Sequence, residues 1–135
     1  MALKASDLNI GDTYSEVVVD DLKRTQIVMY SGASGDYNPV HTDEPFVTKV
    51  AGYPTVFAHG MLSMGMTGKM LTNYVGDGRL TEYRVRFTSQ VFPGDTLTAT
   101  ATVQKIENGL IDLEIVTVNQ NGVEVVRGAA QARVD

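Results

Sequence analysis

The sequence predicts an α+β domain in which an antiparallel sheet curls around one long apolar helix. Residues 59–76, "HGMLSMGMTGKMLTNYVG", place apolar side chains on nearly every face of a helix, which is typical of a helix enclosed by other elements. After Gly78 the apolar pattern changes to a period of two, and turn residues divide it into four segments, as in antiparallel strands. A chain of 135 residues has room for one domain, which we expect to cover residues 1–135.

The first part of the chain predicts a strand followed by a helix. Residues 13–19, "TYSEVVV", are rich in β-branched side chains and predict the strand. Residues 20–21 are both Asp and are predicted to cap the helix that follows at residues 22–32. Gly32 or Gly35 is expected to end this helix, because glycine readily adopts the left-handed conformation found after helix C-termini.

A loop and a short helix come next. Pro39 lacks a backbone N–H donor and disfavours helical geometry in the residue before it, so residues 36–41 are predicted to form an ordered loop. Residues 42–52 predict a short helix with Thr42 or Asp43 as its N-cap.

Four predicted strands make up the last part of the chain. They cover residues 80–91, 96–106, 109–120 and 123–134. Asn108–Gly109 and Asn121–Gly122 separate the last three strands, and Asn-Gly pairs favour tight hairpins. We therefore predict an antiparallel meander. One such sheet leaves an edge strand and apolar surface exposed, so we also expect the chain to pair with a second copy.

The composition excludes several classes of function. The formal charge of −5 argues against a nucleic-acid partner, since phosphate binding usually needs a basic surface. The chain has no cysteine, which excludes disulfides, thiolate metal sites and a cysteine nucleophile. Neither a signal peptide nor an apolar run long enough to span a membrane is visible, so we expect a cytoplasmic protein that does not insert into membranes.

The candidate site lies in residues 31–41, "SGASGDYNPVH", on the loop between two predicted helices. Asp36 and Asn38 each have a structural explanation, because both residue types hydrogen-bond their own backbone in turns. His41 is harder to explain as a turn residue, since imidazole titrates near neutral pH. The whole Gly-Asp-x-Asn-Pro-aliphatic-His string has a chance probability on the order of one in ten million per position. Asp36 and His41 are therefore predicted to converge on one small atom, such as that of a water molecule.

Three segments carry a resemblance to a known family. Residues 30–41, residues 57–65 ("FAHGMLSMG") and residues 81–97 ("TEYRVRFTSQVFPGDTL") resemble the MaoC-like, or hydratase 2, family of hot-dog proteins. Within that family the chain is most similar to the catalytic β subunits of the two-component (3R)-hydroxyacyl carrier-protein dehydratases of actinobacteria. Val47 departs from the family signature, which has Ala or Ser there. The resemblance implies a hot-dog fold, a long central helix wrapped by a curved antiparallel sheet.

The resemblance also implies a reaction and its residues. Members hydrate trans-2-enoyl thioesters, or dehydrate (3R)-3-hydroxyacyl thioesters, with coenzyme A or an acyl carrier protein as the carrier. Asp36 and His41 would be the catalytic pair, and Asn38 would hold the loop. Negative charge develops on the thioester oxygen during such a reaction, so we assign the backbone N–H of Gly60, at the start of the long helix, as the oxyanion donor. The resemblance implies no cofactor beyond the carrier thioester, and a homodimer or a heterodimer with a homologous hot-dog subunit.

The remaining candidates have competing structural explanations. His59 is interpreted as a residue packed or capped at the helix start, with a secondary place near the substrate. Two histidines eighteen positions apart match no zinc-ligand spacing, so no metal is expected. Met61 and Met64 are candidates for an acyl channel, although methionine in an enclosed helix usually fills the core. Three cationic residues are candidates for contacts with coenzyme A phosphates or an acidic carrier protein: Lys49, Arg84 and Arg86.

Two other classes of function stay open at this stage. A hot-dog thioesterase would use Asp36 beside the thioester carbonyl. A non-catalytic acyl-binding subunit would bind the chain without reacting, although this chain carries the complete signature.

Overall fold

The chain folds into a five-stranded antiparallel sheet with a long helix packed on one face. A computed structural model describes residues 3–135. The elements are β1 (Thr13–Val19), α1 (Arg24–Ser34), α2 (Glu44–Lys49), α3 (Gly60–Val75), β2 (Leu80–Phe87), β3 (Leu97–Glu107), β4 (Leu110–Val118) and β5 (Glu124–Arg133), with 3₁₀ turns at Ala5–Asp7 and Pro39–His41. The α+β prediction is confirmed, and every predicted helix and strand is present.

The order of the strands differs from a simple meander. The sheet runs β1-β3-β4-β5-β2, so β3, β4 and β5 form the predicted meander while β2 pairs with β5 and lies at one edge. Asn108 and Gly109 have φ values of 55° and 74° and form the tight hairpin between β3 and β4. The second tight hairpin, predicted at Asn121–Gly122, is wrong. The pairing of β4 with β5 stops before residues 119–123, so the connection is longer than a two-residue turn.

α3 packs its apolar side on the sheet. Met70, Leu71 and Val75 are fully buried there against side chains from β3, β4 and β5. The prediction that α3 is enclosed on every face is wrong for the single chain, because one side of the helix is exposed, at Met61, Gly65, Lys69 and Asn73. These residues lie four positions apart and so form one stripe, which a single sheet on the opposite side does not reach.

α1 begins later than predicted. Its N-cap is Lys23 rather than residues 20–21, because Asp21 adopts a left-handed φ of 52° and turns the chain before the helix starts. This turn buries Leu22, whose N–H donates to the carbonyl of Asp95 at 2.9 Å. Gly35, with φ of 76°, ends the helix as predicted.

The connection between β2 and β3 forms one wall beside the candidate site. β2 ends at Phe87, four residues before the predicted end, and residues 88–96 form a loop instead. Asp95 holds this loop because its carboxylate accepts hydrogen bonds from the N–H of Phe92 and from Nε2 of Gln120, both at 2.9 Å. The Ala58 N–H donates to the carbonyl of Val91 at 2.7 Å, which fixes the loop against the segment before α3. Within residues 3–135, no helix has both the length and the hydropathy that a bilayer crossing requires.

Candidate active site

A series of side-chain-to-backbone hydrogen bonds orders the loop after α1. Ser34 Oγ donates to the carbonyl of Tyr30 at 2.7 Å and accepts from the Asp36 N–H at 3.1 Å. Asp36 Oδ1 accepts from the Asn38 N–H, and Asn38 Oδ1 accepts from the Val40 N–H, both at 3.2 Å. Asn38 is thereby the N-cap of the 3₁₀ turn that carries the histidine. The turn-forming residues therefore place the carboxylate and the imidazole with little freedom.

Asp36 and His41 face each other across this loop. His41 Nε2 lies 3.9 Å from Asp36 Oδ2, which is longer than a direct hydrogen bond and leaves both atoms able to contact one water molecule. His41 Nδ1 donates to the carbonyl of Phe57 at 2.6 Å. Since a carbonyl only accepts, Nδ1 carries the proton, and Nε2 of the neutral ring is an acceptor. The imidazole is 8% exposed and the carboxylate 52% exposed. The imidazole is therefore buried, while the carboxylate is in contact with solvent.

His59 packs against the ring of His41. The two rings stack with centroids 3.7 Å apart, and the edge of Tyr30 contacts His59 at a centroid distance of 4.8 Å. His59 Nε2 lies 3.1 Å from the carbonyl of Asp36 and 3.1 Å from Ser31 Oγ. Nε2 therefore donates to the carbonyl, and His59 joins the start of α3 to the loop that carries Asp36 and His41. Burial lowers the pKa of His59, and the neighbouring His41 lowers it further, so the neutral form is favoured.

Asp36, His41 and His59 also form a cluster with nitrogen and oxygen atoms within 4.8 Å of one another. Sequence spacing did not indicate this cluster, because the two histidines are brought together only by stacking. The rings are inclined by only 20°, so their in-plane lone pairs run side by side rather than toward one point. Nε2 of His59 is already a donor to a carbonyl. This arrangement fits an acid–base pair with a supporting ring better than a metal site.

A cleft of about 220 Å³ opens beside the pair. Its walls include Phe57, Gly60, Ser63, Phe87, Val91 and Val125. The pair does not line this cleft in the single chain. Phe57 connects the two, because its carbonyl accepts from the imidazole and the residue lines the cleft.

Gly60 occupies the crowded start of α3. A Cβ atom there would lie 2.7–2.9 Å from three ring atoms of Phe87, which explains the glycine by packing. Gly60 is also the first residue of the helix, where an N–H has no intrahelical partner, and the N-cap His59 makes no side-chain capping bond. The packing explanation and the oxyanion assignment are therefore compatible.

The other predicted site residues are more scattered. Met61 is 56% exposed and Met64 is half-buried, and neither lines the cleft, so the acyl-channel role stays a prediction. The three cationic candidates, Lys49, Arg84 and Arg86, are exposed. The sequence did not identify Ser31 and Ser63 as candidates. Both serines lie in predicted helices, and in the structure each is only 2% exposed.

Comparisons with known proteins identify the family to which the fold belongs. The family model described as MaoC like domain matches residues 6–126. The 3-hydroxyacyl-thioester dehydratase Y of Mycobacterium tuberculosis is 36% identical over 64% of this chain, which spans 31% of that protein. The (R)-specific enoyl-CoA hydratase of Rhodospirillum rubrum is 33% identical over 70% of this chain and 67% of its own length. The chain thus spans less than a third of the first relative and about two thirds of the second.

Solved structures share the whole fold. The unliganded R-hydratase PhaJ1 of Pseudomonas aeruginosa has a TM-score of 0.86 and 24% identity over 98% of this chain and 86% of its own. The ChsH1-ChsH2 complex of Mycobacterium tuberculosis has a TM-score of 0.79 and 20% identity over 94% of this chain and 98% of its own. These matches confirm the predicted hot-dog fold.

Gly60→Ala is expected to lower the free energy of unfolding by about 1–3 kcal/mol, because the new methyl group displaces the Phe87 ring. Urea unfolding of the four members of a double-mutant cycle with Phe87→Leu measures this. In the Phe87→Leu background the cost of the alanine is expected to shrink. An equal cost in both backgrounds would show that Phe87 is not the cause.

His59 is expected to make stability depend on pH. Its pKa is lower in the folded protein than the ordinary value of 6.5, so below that value the unfolded chain binds more protons. The contribution of neutral His59 to the free energy of unfolding is fully present above about pH 6.5 and is lost as the pH falls. Urea unfolding of the wild type and His59→Gln between about pH 7.5 and about pH 5 isolates this effect, because the two proteins differ only in this side chain. Parallel curves for the two proteins contradict the prediction.

Proposed function

The chain belongs to the MaoC-like domain family, and from that membership we propose that it is an R-specific hydratase or dehydratase of acyl thioesters. It would interconvert trans-2-enoyl thioesters and (3R)-3-hydroxyacyl thioesters in fatty-acid metabolism. The observation that carries the proposal is the 3.9 Å approach of His41 Nε2 to Asp36 Oδ2, two acceptors that can hold one water molecule between them. The two relatives, a 3-hydroxyacyl-thioester dehydratase and an (R)-specific enoyl-CoA hydratase, have names that describe the two directions of this reaction.

The pair supplies the two proton transfers that the reaction needs. In hydration, the water oxygen bonds to C3, one water proton passes to a base, and an acid returns a proton to C2. Asp36 Oδ2 and His41 Nε2 are both acceptors and can bind the two hydrogens of the same water molecule. The group that takes the water proton as base then holds the proton that is returned to C2 as acid. Dehydration is the reverse, with the hydroxyl leaving C3 as water and C2 losing a proton. No redox step occurs, so we propose that no cofactor or metal is needed beyond the carrier thioester.

The carrier and the compartment are part of the proposal. Coenzyme A and acyl carrier protein both present the acyl group on phosphopantetheine, so the same cleft suits either. The resemblance to the two-component dehydratases makes an acyl carrier protein one alternative and coenzyme A the other, and a cytoplasmic location fits both carriers.

Asp36→Asn and His41→Gln are each expected to lower the hydration rate by at least about 100-fold while leaving the fold intact. The asparagine side chain of the first variant keeps an Oδ1 atom that can accept from the Asn38 N–H, and the glutamine amide of the second keeps a donor for the Phe57 carbonyl. The rate is measured as loss of the conjugated enoyl absorbance of crotonyl or longer thioesters, with circular dichroism to check the fold.

Asp77→Asn is the matched control, because Asp77 is an exposed carboxylate in the turn after α3. It is expected to leave the rate unchanged. Wild-type rates in either pair variant would contradict the proposal. Release of free thiol by the wild type would indicate a thioesterase instead, since hydration leaves the thioester whole. Binding of acyl thioesters without a change in absorbance would indicate a non-catalytic subunit.

We further propose that the chain works as a homodimer or with a homologous hot-dog subunit. Two apolar side chains near the start of α3 are exposed: Met61 at 56%, and Phe87, whose ring lies against Gly60, at 50%. β1 and β2 each have one unpaired edge. Apolar surface and open edges of this kind are usually covered in an assembly.

Mass measurement of the protein expressed alone, with activity assayed in parallel, tests the partner. An active dimer is expected if two copies suffice. An inactive or insoluble chain that gains activity with a homologous subunit supports the heterodimer. A fully active monomer contradicts both.

A further inference from the structure

Two buried polar atoms have no hydrogen-bond partner among the described residues, and both belong to the first turn of α3. They are Nδ1 of His59 and Oγ of Ser63. Each residue is 2% exposed. Leaving a buried polar group unpaired costs about 1–3 kcal/mol, so such a group usually has a partner that comes from outside the chain.

The two threonines of α3 show that the unpaired hydroxyl of Ser63 is exceptional. Thr67, one turn further along, is fully buried and pairs with Thr117 on β4, with 2.7 Å between the hydroxyl oxygens. Thr72 donates to the carbonyl of Lys69 at 3.2 Å. The N–H of Ser63 bonds to the His59 carbonyl at 3.4 Å, as a helix requires, while its side chain makes no bond. The free hydroxyl therefore belongs to Ser63 alone among these serine and threonine residues.

Ser63 lies in the wall of the cleft that Gly60 also lines. The two residues are three positions apart and so share one face of the helix. The helix start carries partial positive charge and a free N–H at Gly60, which favours an oxygen with negative charge. The neutral His59 Nδ1 can only accept, whereas the Ser63 hydroxyl can donate. A carbonyl oxygen placed here would therefore find its side-chain donor in Ser63.

We propose that Ser63 is a substrate-contacting residue whose hydroxyl donates a hydrogen bond to the thioester carbonyl oxygen, together with the N–H of Gly60. This inference rests on the proposed function. When water adds to C3, the electron pair of the C2–C3 double bond moves toward the carbonyl, and negative charge collects on that oxygen. Two donors that are already oriented stabilise this charge, and no bond of Ser63 is made or broken.

Ser63→Ala is expected to lower kcat/KM for enoyl-thioester hydration by about 100-fold, the usual cost of losing one oxyanion donor. It should not lower the free energy of unfolding, because the hydroxyl it removes has no partner in the protein. Thr67→Val is the matched control, since it leaves Thr117 unpaired. It is expected to lose stability and keep its turnover. Ser63→Cys, similar in size with a weaker donor, should fall between wild type and Ser63→Ala.

The carbonyl stretching frequency of a bound saturated acyl thioester gives a readout that a purely structural serine would not change. Binding to the wild type is expected to lower the frequency, and binding to Ser63→Ala should return it toward the value in water. Unchanged kcat/KM and frequency in Ser63→Ala, with a hydrating wild type, would overturn the role of Ser63 and leave the proposed function standing. A loss of stability without a change in frequency would assign Ser63 to a buried structural water. A wild type that does not hydrate enoyl thioesters would overturn the proposed function, and this assignment with it.

Discussion

The hydrogen bond from His41 Nδ1 to the Phe57 carbonyl determines what this site can do. It fixes the proton on Nδ1, so Nε2 is left as an acceptor that faces Asp36. It also joins the loop after α1 to the segment that leads into α3, two parts of the chain sixteen positions apart. Without this bond nothing would fix the tautomer of the imidazole, and the carboxylate alone would not define a site for water.

The start of α3 brings the other parts of the site to the same place. His59 stacks on His41 and donates to the Asp36 carbonyl, so these contacts fix the helix start and the loop after α1 against each other. Gly60 follows at once and allows the Phe87 ring to approach, which places β2 beside the helix start. The cleft forms where these contacts meet the loop of residues 88–96. Carboxylate, imidazole, helix terminus and cleft thus depend on one another.

The candidate pair could be predicted from the sequence because the residues that position it are neighbours in the chain. Asp36, Asn38 and Pro39 specify a turn by their own backbone preferences, and that turn by itself brings positions 36 and 41 together. Ser31, Ser63 and Phe87 were not predictable in the same way. A serine in a helix pattern gives no sign of whether it is buried, and a phenylalanine on a strand gives no sign that its ring covers a glycine from a distant helix.

The sequence by itself determined the α+β class, the helices and strands, and the loop that pairs a carboxylate with an imidazole. Each of these depends on periodicity or on the conformations of residues close in the chain. Only the tertiary structure decided that β2 pairs with β5, that one side of α3 stays exposed, and that His59 lies under His41. It also left the Ser63 hydroxyl unpaired beside a cleft. These features arise from contacts between segments far apart in the chain, which packing selects and local preference does not encode.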